Sequence, residues 1–217
     1  MDAGRSHQQA NTTTGSNGTP PSEDRTLYLI RHGRTRLNAE GLLRGHLDVE
    51  LDDAGRREAH ALAETFSGVR LAVIATSPLQ RALATAERLA EATGAPVEVN
   101  EGFIDRDYGR WAGKRRSAAE RRHGSLDRAP GVEPAISLVS RVLFAATQVA
   151  EGAGSSPTAI VAHDAVNRAL LARLPGNTPS EPDEIPQRTG CWNRLEYRDG
   201  AWSASVVDAA PGDGTTP

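Results

Sequence analysis

The sequence predicts an α/β protein, a three-layer α/β/α sandwich with a mostly parallel central sheet and a terminal antiparallel hairpin. Three observations predict it. Short β-prone runs alternate with longer segments of helical periodicity, the pattern of parallel strands joined by crossover helices. Residues 71–75 (Leu-Ala-Val-Ile-Ala) form an uninterrupted apolar run of the kind that becomes a buried strand. Near the end, Asp199-Gly200 separates two β-prone runs, the strongest short-range hairpin signal.

Taken in order, residues 26–30 are the first strand. Asp52 stands where it can cap a helix that carries Ala59, Leu62, Ala63 and Phe66 on one face and stops at Gly68. Residues 71–75 are the second strand. In Ser77-Pro78-Leu79-Gln80, Ser is the expected N-cap, Pro takes the first helical position and Gln completes a capping box. The stripe of this helix is Leu79, Leu83, Ala86, Leu89 and Ala90, and Gly94 ends it. Residues 96–99 are a strand, and residues 133–150 a long helix with Leu138, Val142, Ala145 and Val149 in phase. A strand at 158–162 leads into a helix through Leu170, Leu171 and Leu174, and the hairpin pairs 194–197 with 202–207. Residues 1–25 and 209–217, rich in Gly, Pro, Ser and Thr, are expected to be disordered tails around one domain of residues 26–208.

Composition narrows the function. A chain with 38% hydrophobic residues but only 4% aromatic ones builds its core from Ala, Val, Leu and Ile. The formal net charge of -3 gives no global attraction to nucleic acid or anionic membrane. The single cysteine, Cys191, excludes an intrachain disulfide and a Cys-based metal cluster and fits a reducing, cytoplasmic setting. No apolar run approaches the roughly 20 residues of a membrane span, and the polar N-terminus lacks the apolar segment of a signal peptide.

In open α/β sheets, ligands sit beyond the carboxyl ends of the strands. Arg31 and His32 directly follow the first strand, Arg81 lies in the first turn after the second, and His163 ends the strand at 158–162. Three distant segments therefore bring cationic or titratable groups to one edge. Arginine donates in a planar fork to phosphate oxygens. A neutral imidazole is a competent nucleophile at phosphorus. Gly33 lets the backbone come close to a ligand.

The context of Arg31-His32-Gly33 makes it specific. The stretch Arg31-His32-Gly33-x-Thr35-x-x-Asn38-x-x-Gly41-x-x-x-Gly45-x-x-Asp48-x-x-Leu51-x-x-x-Gly55 resembles the opening signature of the histidine phosphatase superfamily, which includes cofactor-dependent phosphoglycerate mutases. Ser77-Pro78-Leu79-x-Arg81-Ala82-x-x-Thr85-Ala86 resembles its second motif, the segment from Asp105 to Gly113 its third, and Val161-Ala162-His163 its fourth. The resemblance implies that His32 forms a phosphohistidine, that Arg31, Arg81 and His163 surround the phosphoryl group, and that Asn38 contacts phosphate. It implies no metal and no cofactor. The two arginines are expected to keep His32 from carrying a proton.

The proton donor departs from the family pattern. Where the family has Glu, this chain has Asp105 in Phe103-Ile-Asp-Arg-Asp-Tyr-Gly109, with Glu101 and Asp107 as neighbouring alternatives. Asp can protonate the leaving oxygen and then activate water, provided it stands one methylene closer. The second departure is His163-Asp164, where the family more often has His-Gly. Asp164 is the secondary candidate for the acid, or else a cap for a helix starting at Ala165.

Arg110, Lys114, Arg115, Arg116, Arg121, Arg122 and His123 form a basic run, read here as a solvated helix face in preference to a lid for further anionic groups. His46, His60 and His123 are expected at the surface, and Trp111 to pack. The leading expectation is a phosphatase for a small phosphate monoester. A phosphoglycerate-type mutase and a catalytically weak phospho-ligand-binding relative are the alternatives. Only about twenty residues lie between Gly113 and Glu133, a short cap that admits water and favours hydrolysis. The expected partner is a small phosphorylated metabolite, with no nucleic acid and no membrane. The terminal hairpin could pair across a homodimer.

Overall fold

The computed structural model describes residues 24–175 and 184–217. Residues 1–23, most of the expected N-terminal tail, lie outside the described residues; Arg25 already belongs to a strand. β1 (Arg25–Arg31), β2 (Ile74–Thr76), β3 (Val97–Val99), β4 (Thr158–Ala162), β5 (Trp192–Arg198) and β6 (Ala201–Ala209) form one sheet in the order β3-β2-β4-β1-β5-β6. β1, β2, β3 and β4 run parallel, and β5 and β6 close the sheet antiparallel.

The α-helices are α1 (Arg36–Ala39), α2 (Asp53–Phe66), α3 (Gln80–Thr93), α4 (Arg116–His123), α5 (Ala135–Gly152) and α6 (Asp164–Leu171). β1 shows why they stack in three layers. Its last five residues are buried, and they alternate between two cores. Leu27 and Leu29 pack with Val142 of α5 and Val166 of α6, while Tyr28 and Ile30 pack with Leu62 of α2 and Ala86 of α3. A strand covered on both faces must be apolar on both.

The few aromatic residues are concentrated. Tyr28, Phe66 and Trp192 meet edge to face, with ring centroids 5.1, 5.6 and 6.1 Å apart. Each such pair adds about 0.5–1.5 kcal/mol beyond burial. Together they tie β1, α2 and β5 to one another beneath the site.

Several local expectations hold: Asp52 caps α2 by accepting from Gly55 N at 2.8 Å, Gly94 ends α3 at φ +73°, and the hairpin turns at Asp199 and Gly200, both with positive φ. Others are corrected. α3 begins at Gln80, not at Pro78, and its N-cap residue Leu79 offers no side-chain bond. Asp48, from another loop, accepts from Gln80 N and Nε2 at 2.8 and 3.0 Å. A tertiary carboxylate thus supplies the cap expected of Ser77. Leu83 is only half-buried, because the buried side of α3 is centred on Arg81, Ala82, Thr85, Ala86 and Leu89. The second strand starts at Ile74, three residues late, and α6 ends at Leu171. α1 and α4 were not expected. At the far end, β6 runs through buried Ala209, and Asp213 accepts from Ala210 N and Thr215 N in the segment read as a tail.

Candidate active site

The parallel pairing of β1 and β4 sets Arg31 opposite Ala162, and β2 joins β4 with Thr76 opposite Val161. The residues just past these ends, His32, His163 and Ser77, therefore meet. His32 N donates to Ala162 O at 3.0 Å and Ser77 N to Val161 O at 3.1 Å. The imidazoles of His32 and His163 stand with centroids 5.1 Å apart. His163 Nε2 pairs with Ser77 Oγ at 2.8 Å, so the serine whose Oγ accepts from Leu79 N at 3.3 Å ahead of α3 also orients a site histidine.

His32 is fully buried. Its Nδ1 lies 2.7 Å from the Gly33 carbonyl oxygen. A carbonyl only accepts, so Nδ1 carries the proton and Nε2 keeps its lone pair. Nε2 has no hydrogen-bond partner. Burial, followed by the charges of Arg81, Arg31 and Arg44, holds the His32 pKa well below the ordinary histidine value. Packing alone requires that Gly33 carry no side chain. A Cβ there would lie 2.4 Å from Gly55 O on α2.

Three buried arginines surround this imidazole. Arg31 donates through Nη1 to Gln187 O. Arg81 donates to Leu47 O, Gly45 O and Asp105 Oδ2, at 2.9, 2.9 and 3.0 Å. Arg44, which the sequence reading missed, donates to Leu42 O at 3.2 Å and Asp164 Oδ1 at 2.7 Å. Its signal was available: it lies between Gly41 and Gly45 of the opening stretch, and both glycines adopt positive φ in the loop that turns it inward. In all three arginines Nε is buried without a partner, as are His32 Nε2 and His163 Nδ1. Buried donors left unpaired are costly, and donors and a lone pair grouped in this way suit a tetrahedral oxyanion.

Asp105 reaches the same place. It is fully buried, bonded to Arg81 and to Arg106 N, and 3.9 Å from His163 Nδ1. Burial and the charge of Asp164 raise its pKa against the pull of Arg81 and Arg44. Tyr108 is buried nearby, and burial with the Asp105 charge pushes its hydroxyl pKa up. Asp164 is opposite in character. Burial would raise it, but Arg31, Arg44 and Arg168 outweigh burial and hold it well below the usual carboxylate range. It is the first residue of α6, not its cap, and its side chain faces those arginines.

The remaining candidates divide. Asn38 Oδ1 accepts from Thr35 N and Oγ1 at 3.0 and 2.7 Å, closing a capping box on α1. Asp107 accepts from Gly109 N, and Glu101 is exposed. His46 is exposed but pairs with Asp105 O at 2.9 Å, and His123 packs edge to face on Trp111, so neither is a bare surface residue. His60 is exposed beside Glu64. Trp111 is buried as expected. Among the described residues, no group of His, Cys, Asp or Glu is arranged to hold a metal ion, and no helix is long and apolar enough to cross a membrane.

The fold and this site define a class of α/β protein in which a neutral histidine sits among arginines at the carboxyl edge of a parallel sheet. Residues 27–209 match the histidine phosphatase superfamily (branch 1), and the chain belongs to that superfamily. It is 30% identical over 168 residues to the glucosyl-3-phosphoglycerate phosphatase of Mycolicibacterium vanbaalenii, which covers 70% of this chain and 75% of that one. The structure of mycobacterial glucosyl-3-phosphoglycerate phosphatase in complex with VO3 is 28% identical, with a TM-score of 0.73 over 86% of this chain and all (100%) of that one. A phosphoglycerate mutase from Bacillus anthracis is alike in fold alone, with a TM-score of 0.78 at 18% identity over 86% and 94% of the two chains.

Proposed function

We propose that this chain hydrolyses a small phosphate monoester through a phosphohistidine on His32, with Asp105 as the proton donor. The observation that carries the reading is the state of His32: Nδ1 is tied to Gly33 O, and Nε2 is unpartnered among three arginines.

In the first step the Nε2 lone pair attacks phosphorus and the bond to the ester oxygen breaks. The proton of Asp105 passes to that oxygen, and the leaving group departs as an alcohol. In the second step the Asp105 carboxylate takes a proton from water. The hydroxide attacks phosphorus, the P–N bond breaks, and phosphate leaves with His32 neutral again. Arg31, Arg44, Arg81 and His163 stabilise the charge on the equatorial oxygens, the main demand of phosphoryl transfer. Asp105 is favoured over Asp164 because burial raises its pKa, toward that of a proton donor, while three arginines hold the Asp164 pKa well below the usual carboxylate range. Asn38 has its amide oxygen spent on Thr35 and so can approach phosphate only as a donor.

A cavity of about 410 Å³ is lined by Arg44, Tyr108, Asp164, Leu138, Val139 and Arg116. It suits the leaving group of a phosphorylated metabolite, of the size of a sugar or glycerate ester. Phosphate release from p-nitrophenyl phosphate, glucose 6-phosphate, phosphoserine and 3-phosphoglycerate, with EDTA present, tests the reading against His32→Ala. The expected result is release by the wild-type chain and none by the variant. Release that persists in His32→Ala, or isomerisation of 3-phosphoglycerate without phosphate release, overturns it.

A further inference from the structure

Asp164 contacts more of the arginines around His32 than any carboxylate the proposed mechanism uses. Its Oδ1 accepts from Arg44 Nη2 at 2.7 Å, and its Oδ2 lies 3.7 Å from Arg31 Nη2 and 3.6 Å from Arg168 Nη1. Each of the two site arginines is also gripped at its other Nη by a backbone carbonyl, Arg44 by Leu42 O and Arg31 by Gln187 O. Gln187 is itself held by Asn167 and Asn193, at 2.9 and 2.7 Å. Arg44 is thus fixed at two corners and Arg31 at one, with the Asp164 carboxylate 3.7 Å from its other Nη, and the Nε–H of each remains buried without a partner. A planar fork held in this way presents its third donor in one direction. The helix start at Asp164 also favours a carboxylate.

We propose that Asp164 is a positioning residue that fixes Arg44, and draws Arg31, around the phosphoryl site and does not itself donate or accept the transferred proton. The proposal rests on the reading of His32 above. Without the carboxylate, Arg44 keeps only one anchored corner on a long side chain, and Arg31 only its bond to Gln187. Misplacing a charge-stabilising group by about an ångström can cost about 100-fold. Such a loss falls on every substrate alike, whereas loss of a proton donor falls on poor leaving groups.

The test is orthovanadate affinity by calorimetry, with turnover of p-nitrophenyl phosphate and of an alkyl phosphate, in the full chain. The variants are Asp164→Ala, Asp164→Asn, Arg44→Met and the Asp164→Ala/Arg44→Met pair. Read on the acid plateau of kcat/KM, where Asp105 is protonated with or without the Asp164 charge, the expected result is that Asp164→Ala weakens vanadate by about tenfold or more, with the ratio of the two turnovers unchanged. Asp164→Asn, which keeps size and one acceptor, falls between wild type and Ala, and it carries the test if the Ala variant does not fold. In the Arg44→Met background the further loss is smaller than in wild type. Vanadate affinity within about twofold of wild type, losses that multiply in the double variant, or a loss confined to the alkyl phosphate each overturn the proposal. Failure of the His32 reading appears separately, as a wild-type chain that neither binds vanadate nor depends on His32.

Discussion

Arg81 and Asp105 meet at 3.0 Å with neither side chain exposed to solvent. Such a pair would ordinarily hold the acid ionised. Burial and the nearby Asp164 charge oppose that pull and raise the Asp105 pKa above the ordinary carboxylate value. One pair thereby couples a phosphate-site cation to the group proposed to protonate the leaving oxygen.

Asp105→Asn keeps the size of the side chain and an acceptor for Arg81 but removes the proton. For alkyl phosphates kcat/KM is expected to fall by about 100- to 10,000-fold. For p-nitrophenyl phosphate, whose leaving group needs little protonation, the fall is expected to be about tenfold or less. Equal losses on both in steady-state kinetics would show that Asp105 is not the donor.

The pH profile follows from two opposite shifts. His32 is held well below the ordinary histidine value, so its nucleophilic form persists into acid. Asp105 is raised, so its donor form is lost as pH rises through the shifted value. With the substrate's own ionisation divided out, kcat/KM for an alkyl phosphate is expected to stay high in acid and to fall as pH rises through the raised Asp105 value. Asp105→Asn is expected to lack the alkaline limb.

Stability carries a separate signature. His32 and His163 are both buried with pKa values well below the ordinary one. Above about pH 6.5 neither the folded nor the unfolded chain protonates them. Below it the unfolded chain takes up protons that the folded chain refuses, so stability falls as pH falls. The slope is at most about 1.4 kcal/mol per pH unit for each histidine. Thermal unfolding between pH 8 and pH 5 is expected to show a falling Tm, with a shallower slope in His163→Gln.

Gly33 and Gly55 interlock the turn after His32 with the first turn of α2. A Cβ on Gly33 would lie 2.4 Å from Gly55 O, and one on Gly55 would lie 2.0 Å from Arg34 O. Gly33→Ala is expected to cost about 1–3 kcal/mol in chemical denaturation. Its kcat/KM should fall as well, because the displaced backbone carries His32. An alanine variant with wild-type activity and stability would show that the turn yields freely.

The basic run divides by position. Arg121 and Arg122 are exposed on α4, whereas Arg116 lines the cavity beside Arg44 and Asp164. Arg121→Ala/Arg122→Ala is expected to leave KM within about twofold and stability within about 0.5 kcal/mol. Arg116→Ala is expected to raise KM for substrates whose leaving group fills the cavity, with little change for p-nitrophenyl phosphate. Parallel KM measurements decide between this division and a basic surface that acts as a whole.

The sequence by itself determined the sandwich, the strand–helix order, the hairpin turn and the family, because these follow from local periodicity, turn chemistry and motif spacing. Asp199-Gly200 needs no distant partner to favour its turn. It also named His32, Arg81, Asp105 and His163 as candidates, which stand at the carboxyl ends of strands or soon after them and which the fold brings together. Only the tertiary structure decided what their neighbours do. Arg44 belongs to no strand end and enters the site because its loop folds inward. Asp48 caps α3 across 32 positions of sequence, and Ser77 pairs with His163. Asp105 and Asp164 are the same residue type with opposite shifts, because the charge of a carboxylate depends on burial and on the cations around it. Those distances are set by packing between layers, which sequence spacing does not encode.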